Sequence, residues 1–247
     1  MDQEMCEKII PHVVRIETPD GTGTGFLFAY NKTRKITAIA TALHVVERAN
    51  RWRQPIRLIH AGSNEELFLT YDERAIWSYP KRDAAALTFA TNDSFGFPED
   101  AFTLIEEKMR MRIGSEVGWA GYPGIVLPNL CFFRGAVSAF LESIEDKFGT
   151  YLIDGVAING VSGGPVFWGI PGMDPQLVGI LSAYIPNPVG AQTLPGLAVA
   201  QDIAPLYATI NAFKTFDEAK AAEPSPASAA SGEPKPTSPA PVPEKQP

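Results

Sequence analysis

Two sets of six short segments rich in β-branched and aromatic residues, separated by one turn-rich stretch, constrain this chain more than any other feature. The first set is Val13–Glu17, Gly25–Tyr30, Ile36–Thr41, Ile56–His60, Leu67–Tyr71 and Ala84–Ala90. The second is Glu116–Gly121, Leu130–Leu141, Thr150–Asp154, Pro165–Gly169, Leu177–Tyr184 and Gly196–Ala200. Between them, NDSFGFPEDAFTLIEEKMRMRIGS carries the Gly, Pro, Asn and Asp of a connector rather than a strand. The pattern predicts an all-β protein of two six-stranded antiparallel barrels, the first over about residues 10–92 and the second over about 113–201. Ile203, Leu206, Tyr207, Ile210 and Phe213 then recur at helical spacing, predicting one closing helix over about 203–214 with Asp202 as its N-cap.

Past Asp217 the composition changes. Residues 218–247 are rich in Pro, Ala, Ser and Glu, with Val242 the one large aliphatic residue. Such a segment buries too little apolar surface to offset its ordering entropy, so a disordered tail is expected after a folded domain of residues 1–217. Either a solvated spacer or a docking motif for an unknown partner fits it.

The folded part, within a chain that is 45% hydrophobic, has enough apolar residues for a core without metal or disulfide. Its two cysteines, Cys6 and Cys131, match neither a metal-ligand spacing nor a secreted disulfide framework, which favours a reducing compartment. The amino terminus, MDQEMCEKII, is acidic where a signal peptide is basic, and no run of apolar residues reaches membrane-spanning length. These features predict a cytoplasmic protein with no membrane partner. A net charge of −7 with scattered basic residues argues against nucleic acid as well.

The chemistry concentrates in Gly160-Val161-Ser162-Gly163-Gly164-Pro165. A serine hydroxyl becomes a useful nucleophile only when a base takes its proton and backbone donors stabilise the resulting oxyanion. Glycines around Ser162 allow the tight turn that would present the N–H groups of Gly160 and Ser162. Read alone, the segment also fits an ordinary glycine-rich turn. Of three histidines, His12 and His60 lie in apolar alternating segments that suit structural roles. His44 stands where the apolar run Ile36–Leu43 meets the polar turn Glu47–Asn50, and is the natural base. Asp83 opens Ala84–Ala90, a strand without another charge, and suits a shielded carboxylate that orients the imidazole, although a plain turn aspartate is the alternative. Asp72 and Asp93 are weaker candidates. Chain order separates the rivals. Gly160-Val161-Ser162-Gly163-Gly164 satisfies the Gly-x-Ser-x-Gly elbow of α/β-hydrolases, but that arrangement needs a histidine after the serine and none follows. The order His, Asp, Ser remains.

Four motifs in that order, Gly23-Thr24-Gly25-Phe26-Leu27, Thr41-Ala42-Leu43-His44-Val45-Val46, Asp83-Ala84-Ala85-Ala86-Leu87 and Gly160-Val161-Ser162-Gly163-Gly164-Pro165, resemble those of trypsin-like peptidases, most of all the HtrA-type branch. Leu177-Val178-Gly179-Ile180 and Gly196-Leu197-Ala198-Val199-Ala200 extend the resemblance over about Ile9 to Phe213. It implies a chymotrypsin-like double barrel with the active site between the barrels, catalysis by His44, Asp83 and Ser162, and an oxyanion hole from Gly160 and Ser162. It also implies a primary pocket with Val156 and Ala157 at the floor and Ser182, Ala183 and Tyr184 as the wall. With no acid at that floor, a small or medium apolar side chain is expected, narrowed by Tyr184. Two positions depart from the pattern. Leu43 is large where the residue before the histidine is usually small. Val161 replaces the aspartate that pairs with a new amino terminus in digestive members, so activation by amino-terminal cleavage is not expected. No PDZ domain, no cofactor and no metal are expected. The function read from the sequence is a serine endopeptidase acting on proteins or peptides; a weak or inactive binding or scaffold protein on the same fold is the alternative.

Overall fold

Alternation of side-chain size along the strands decides how the two halves meet in the computed structural model, which describes residues 3–143, 149–170, 172–189 and 192–222. The first half contains β1 (Val13–Thr18), β2 (Gly21–Tyr30), β3 (Ile36–Ala42), β4 (Ile56–His60), β5 (Glu66–Leu69), β6 (Arg74–Tyr79) and β7 (Ala84–Ala90). Strands β3 and β7 pair antiparallel from Ile36 opposite Ala90 to Ala42 opposite Ala84. On one face, Ile39, Ala85, Leu87 and Phe89 join Val14, Ile16, Ile56 and Leu58 in the interior of this half. On the other face Ala38, Ala40, Ala84 and Ala86 join a larger core shared with the second half. Both faces of β3 and β7 are therefore buried, which explains their nearly unbroken apolar sequence. The small alanines on the shared face admit close approach of the second half.

That second half is a closed six-stranded barrel, ordered β10-β13-β12-β11-β8-β9. Its strands are β8 (Glu116–Gly121), β9 (Cys131–Glu142), β10 (Gly149–Asp154), β11 (Pro165–Trp168), β12 (Gln176–Val189) and β13 (Gln192–Asp202). Trp119, Tyr151, Val166, Phe167, Ile180 and Leu181 on its strands are buried in the larger core. The architecture matches the expected double barrel, with one difference in the first half. Seven strands are present there, in the order β5-β4-β1-β2-β3-β7-β6, and the sheet has two edges, β5 and β6. Strand β6 has no clean alternation in its sequence: Arg74 leads it and Trp77 is 42% exposed. The Arg74 guanidinium spans the gap between the edges, donating to Leu69 O at 2.7 Å and to Gln54 O at 2.6 Å.

Three α-helices among the described residues complete the fold: α1 (Gln3–Ile9), α2 (Leu43–Arg51) and α3 (Ala204–Ala222). Helix α1, not anticipated from the sequence, buries Met5 and Ile9, one turn apart on a single face. Helix α3 follows Asp202, whose Oδ1 accepts from Ala204 N at 3.1 Å as a cap would, while Oδ2 accepts from Gly149 N at 2.7 Å. Tyr79 and Thr209 share a hydrogen bond of 3.0 Å. Near the end of α3, the Asp217 carboxylate accepts from Asn31 Nδ2 at 2.8 Å and from Lys32 N at 2.7 Å. The closing helix thus ties the barrels together. It runs five residues past the expected boundary at Asp217, because Glu218 to Ala222 are all good helix formers on an already packed helix. The remainder of the proline-rich tail, residues 223–247, lies outside the described residues. Among the described residues, no helix is long and apolar enough to cross a membrane.

Candidate active site

The N-terminus of α2 supplies one wall of the cleft. A helix leaves its first N–H groups without internal partners, and Ala42, at the cap position, has no side chain to satisfy them. Asp83 does so from the neighbouring strand: its main-chain oxygen accepts from Leu43 N at 3.0 Å and its Oδ1 from His44 N at 3.0 Å. The second carboxylate oxygen, Oδ2, lies 2.7 Å from His44 Nδ1. A tight turn over Pro80–Arg82 delivers Asp83 in the left-handed region at φ 41, a conformation aspartate tolerates better than most residues. His44 is therefore the second residue of a nine-residue helix, rather than the end of a strand before a short turn. Leu43, whose size departs from the family pattern, is buried in the core of the first half and anchors the same turn.

Ser182 Oγ donates to Asp83 Oδ2 at 2.6 Å. Burial pushes the Asp83 carboxyl pKa upward, but the hydrogen bonds from His44 and Ser182 outweigh it and hold the group below the ordinary carboxylate range. An ionised carboxylate only accepts, so Nδ1 of His44 carries the proton and Nε2 is free to act as a base. The bond to Asp83 raises the imidazole pKa above its usual value, against an opposing effect of burial.

The second barrel supplies the turn around Ser162, whose four carbonyl groups from Asn159 to Ser162 are all engaged. Asn159 O accepts from Gly124 N at 2.7 Å, and Val161 O from Gly164 N at 3.0 Å. Thr24 holds the other two: its hydroxyl donates to Gly160 O at 2.8 Å, and its N–H donates to Ser162 O at 2.8 Å. A planar trans peptide points its N–H opposite its carbonyl, so these anchors fix the direction of the intervening N–H groups. Val161 N and Gly163 N find Ile158 O and Leu181 O, at 3.1 Å and 2.6 Å. Gly160 N and Ser162 N have no protein partner among the described residues. Gly160 and Gly163 adopt φ +97 and +86. At Gly163 a Cβ would fall 2.1 Å from Thr24 O, so glycine is required twice over.

His44, Gly160 and Ser162 line one cleft of about 240 Å³, which the β1–β2 turn (Thr18 to Thr22) and Arg48 complete. Within it, Ser162 Oγ donates to Ser182 O at 3.3 Å, and no hydrogen bond joins it to His44. A serine hydroxyl has three staggered positions about χ1, of which this is one.

The residues expected to form the primary pocket divide. Val156 is 46% exposed, while Ala157 packs against the larger core. Ser182 directs its hydroxyl to Asp83, a role the sequence did not signal, since one serine in an apolar strand has no distinguishing context. Tyr184 reaches across from β12 to β13, where its hydroxyl accepts from Gly196 N. The other two histidines sit in structural settings. His12, in a short turn rather than a strand, contacts Lys8 O and Asp100 O at 3.2 and 3.1 Å. His60 contacts Pro11 O at 2.8 Å and Ser63. Cys6 and Cys131 form no disulfide among the described residues. Among the described residues, no group of three or more His, Cys, Asp or Glu is placed to hold a metal ion.

The fold has counterparts among solved structures. One is the protease Rv3671c in its inactive form, with a TM-score of 0.57 and 18% identity over 85% of this chain and 92% of that one. A serine-to-alanine mutant of Rv3671c from M. tuberculosis H37Rv, also in the inactive form, matches at a TM-score of 0.56 and 17% identity, covering 91% of this chain and 94% of that one. The fold is that of the trypsin-like peptidases. Deg5 matches too, at a TM-score of 0.57 and 20% identity over 80% of this chain and 90% of its own. No family model and no curated protein matches the sequence, so the trypsin-like likeness is carried by structure.

Proposed function

We propose that this trypsin-like chain is a serine endopeptidase in which Ser162 is the nucleophile, His44 the base and Asp83 the group that orients it. The observation that carries this reading is the His44–Asp83 pair, 2.7 Å long and braced by Ser182, on the same cleft as Ser162, whose own N–H and that of Gly160 have no protein partner among the described residues. Ser162 turns to Nε2 of His44, loses its proton to it and attacks the substrate carbonyl. The developing oxyanion meets the N–H groups of Gly160 and Ser162, donors already held in place before substrate arrives. The imidazolium, stabilised by Asp83, protonates the leaving amine, and water then releases the acyl group by the same route in reverse.

An extended peptide would lie along Ser182–Tyr184, with its primary side chain directed toward Val156 and Ala157. With Tyr184 tied to Gly196 across that space and no acid beside it, small or medium apolar residues are the preferred fit, since a buried unpaired Lys or Arg is costly. Profiling cleavage sites in a peptide library with the native chain and with Ser162→Ala tests the whole reading. Cleavage by the native chain alone, after small apolar residues, is expected; equal cleavage by both would overturn it.

One observation favours a second reading, a binding protein on a peptidase fold: Ser162 points to Ser182 O rather than to His44. The two readings separate on whether the native chain turns over any peptide.

A further inference from the structure

The nucleophile turn depends on a residue of the other barrel. Thr24 lies in β2, is wholly buried, and uses every polar atom it has at the junction between the halves. Its N–H donates to Ser162 O at 2.8 Å and its carbonyl accepts from Thr41 Oγ1 at 2.7 Å. Its hydroxyl does two things at once, donating to Gly160 O at 2.8 Å and accepting from Tyr122 N at 3.0 Å. The space around it is closed: a Cβ on Gly121 would come within 2.9 Å of Thr24 Oγ1 and 2.8 Å of Val161 Cα.

We propose that the Thr24 hydroxyl is a positioning group for catalysis: it holds the Gly160–Val161 peptide, which links the two peptides that carry the Gly160 and Ser162 N–H groups, and so keeps both N–H groups facing the cleft. The inference rests on the peptidase reading and concerns a residue that touches neither substrate nor the reacting atoms. Gly160 is the weak point of the turn. With φ at +97 and no side chain to restrict it, Gly160 leaves the peptide that follows it held only by the Thr24 hydroxyl and by the 3.1 Å bond from Val161 N to Ile158 O. Other anchors in the turn are main-chain to main-chain, so Thr24 is where a side chain alone sets the geometry. Only a hydroxyl can donate to Gly160 O while accepting from Tyr122 N; a methyl in its place leaves two buried main-chain groups unpaired.

The test compares Thr24→Val, nearly isosteric but without the hydroxyl, with Thr24→Ser, which keeps it. Thr24→Val is expected to lower kcat by about 10- to 100-fold, in the range of a misplaced or lost oxyanion donor, with KM within about threefold of native. Thr24→Ser is expected to restore kcat to within about threefold of native, and a peptide aldehyde, which forms a tetrahedral adduct, should lose affinity for Thr24→Val in parallel with kcat. A Thr24→Val enzyme with native kcat, or a Thr24→Ser enzyme as impaired as Thr24→Val, would overturn the assignment. If Thr24→Val fails to fold, Thr24→Cys, whose thiol is a poor hydrogen-bonding group, serves the same comparison. Should the native chain hydrolyse no peptide, the peptidase reading fails, and a crystal structure of Thr24→Val decides the point about Thr24. A Gly160 carbonyl turned from its native direction supports it, and one still in place overturns it.

Discussion

On the first-barrel wall of the cleft the working groups are already paired: Asp83 is bound to His44 N, His44 Nδ1 and Ser182, and its main chain caps α2. On the second-barrel wall the carbonyls are engaged, but two N–H groups and the Ser162 hydroxyl are left free or loosely held. The difference is one of timing. Hydrogen bonds to an ionised group are the strong ones, so the orientation of the His44 imidazole is set on folding. The donors that would meet a developing charge stay open until substrate brings it. A cleft built this way keeps its unsatisfied hydrogen-bonding capacity at the point where the transition state would use it.

The comparison is broken most severely on the second-barrel side. Ser162→Ala should lower turnover on the order of 10⁶-fold, with the urea unfolding midpoint unchanged, because only one hydroxyl of the open wall is lost. On the paired wall, Asp83→Asn should lower kcat about 10⁴-fold, since the neutral amide no longer selects the Nδ1–H tautomer. It should also move the acid limb of the pH profile. In the native chain the bond to Asp83 raises the His44 pKa, so kcat/KM is expected to climb with pH around a midpoint above 6.5; in Asp83→Asn that midpoint should fall. The sign for stability follows from the same shift. A raised folded-state pKa means the His44–Asp83 pair contributes fully below about pH 6.5 and progressively loses that contribution as pH rises through the folded value.

Smaller effects sharpen the contrast. Gly163→Ala places a Cβ 2.1 Å from Thr24 O and 2.2 Å from Thr41 Oγ1 at φ +86, and should destabilise the chain by roughly 3 kcal/mol in urea unfolding. Ser182→Ala removes one donor to the charged carboxylate and should reduce kcat about tenfold. Tyr184→Ala should leave kcat for small residues nearly intact and improve cleavage after larger apolar ones by about tenfold or less, read from competing peptides.

Much of this was legible in the sequence because it rested on patterns that physics makes repetitive. Short alternating or unbroken apolar runs marked twelve of the thirteen strands among the described residues, and the order of His44, Asp83 and Ser162 excluded the α/β-hydrolase arrangement. The strand that escaped, Arg74–Tyr79, lies at a sheet edge, where exposure erases the alternation. Helix α1 escaped because seven residues are too few for a periodic signal. At the site, Ser182 and Thr24 were invisible as functional partners for a different reason. Each hydrogen-bonds a residue about 100 or more positions away; nothing local distinguishes Ser182 from any other hydroxyl in a strand, and the motif Gly23–Leu27 carries no sign of the contact between Thr24 and Gly160.

The central claim is that the His44 imidazole activates the Ser162 hydroxyl once that hydroxyl turns away from Ser182. Treating the folded chain with a fluorophosphonate and mapping the modified peptide by mass spectrometry tests it most directly. The account predicts modification at Ser162 in the native chain and almost none in His44→Ala. Native protein that stays unmodified, or a His44→Ala variant modified at the native rate, would contradict it.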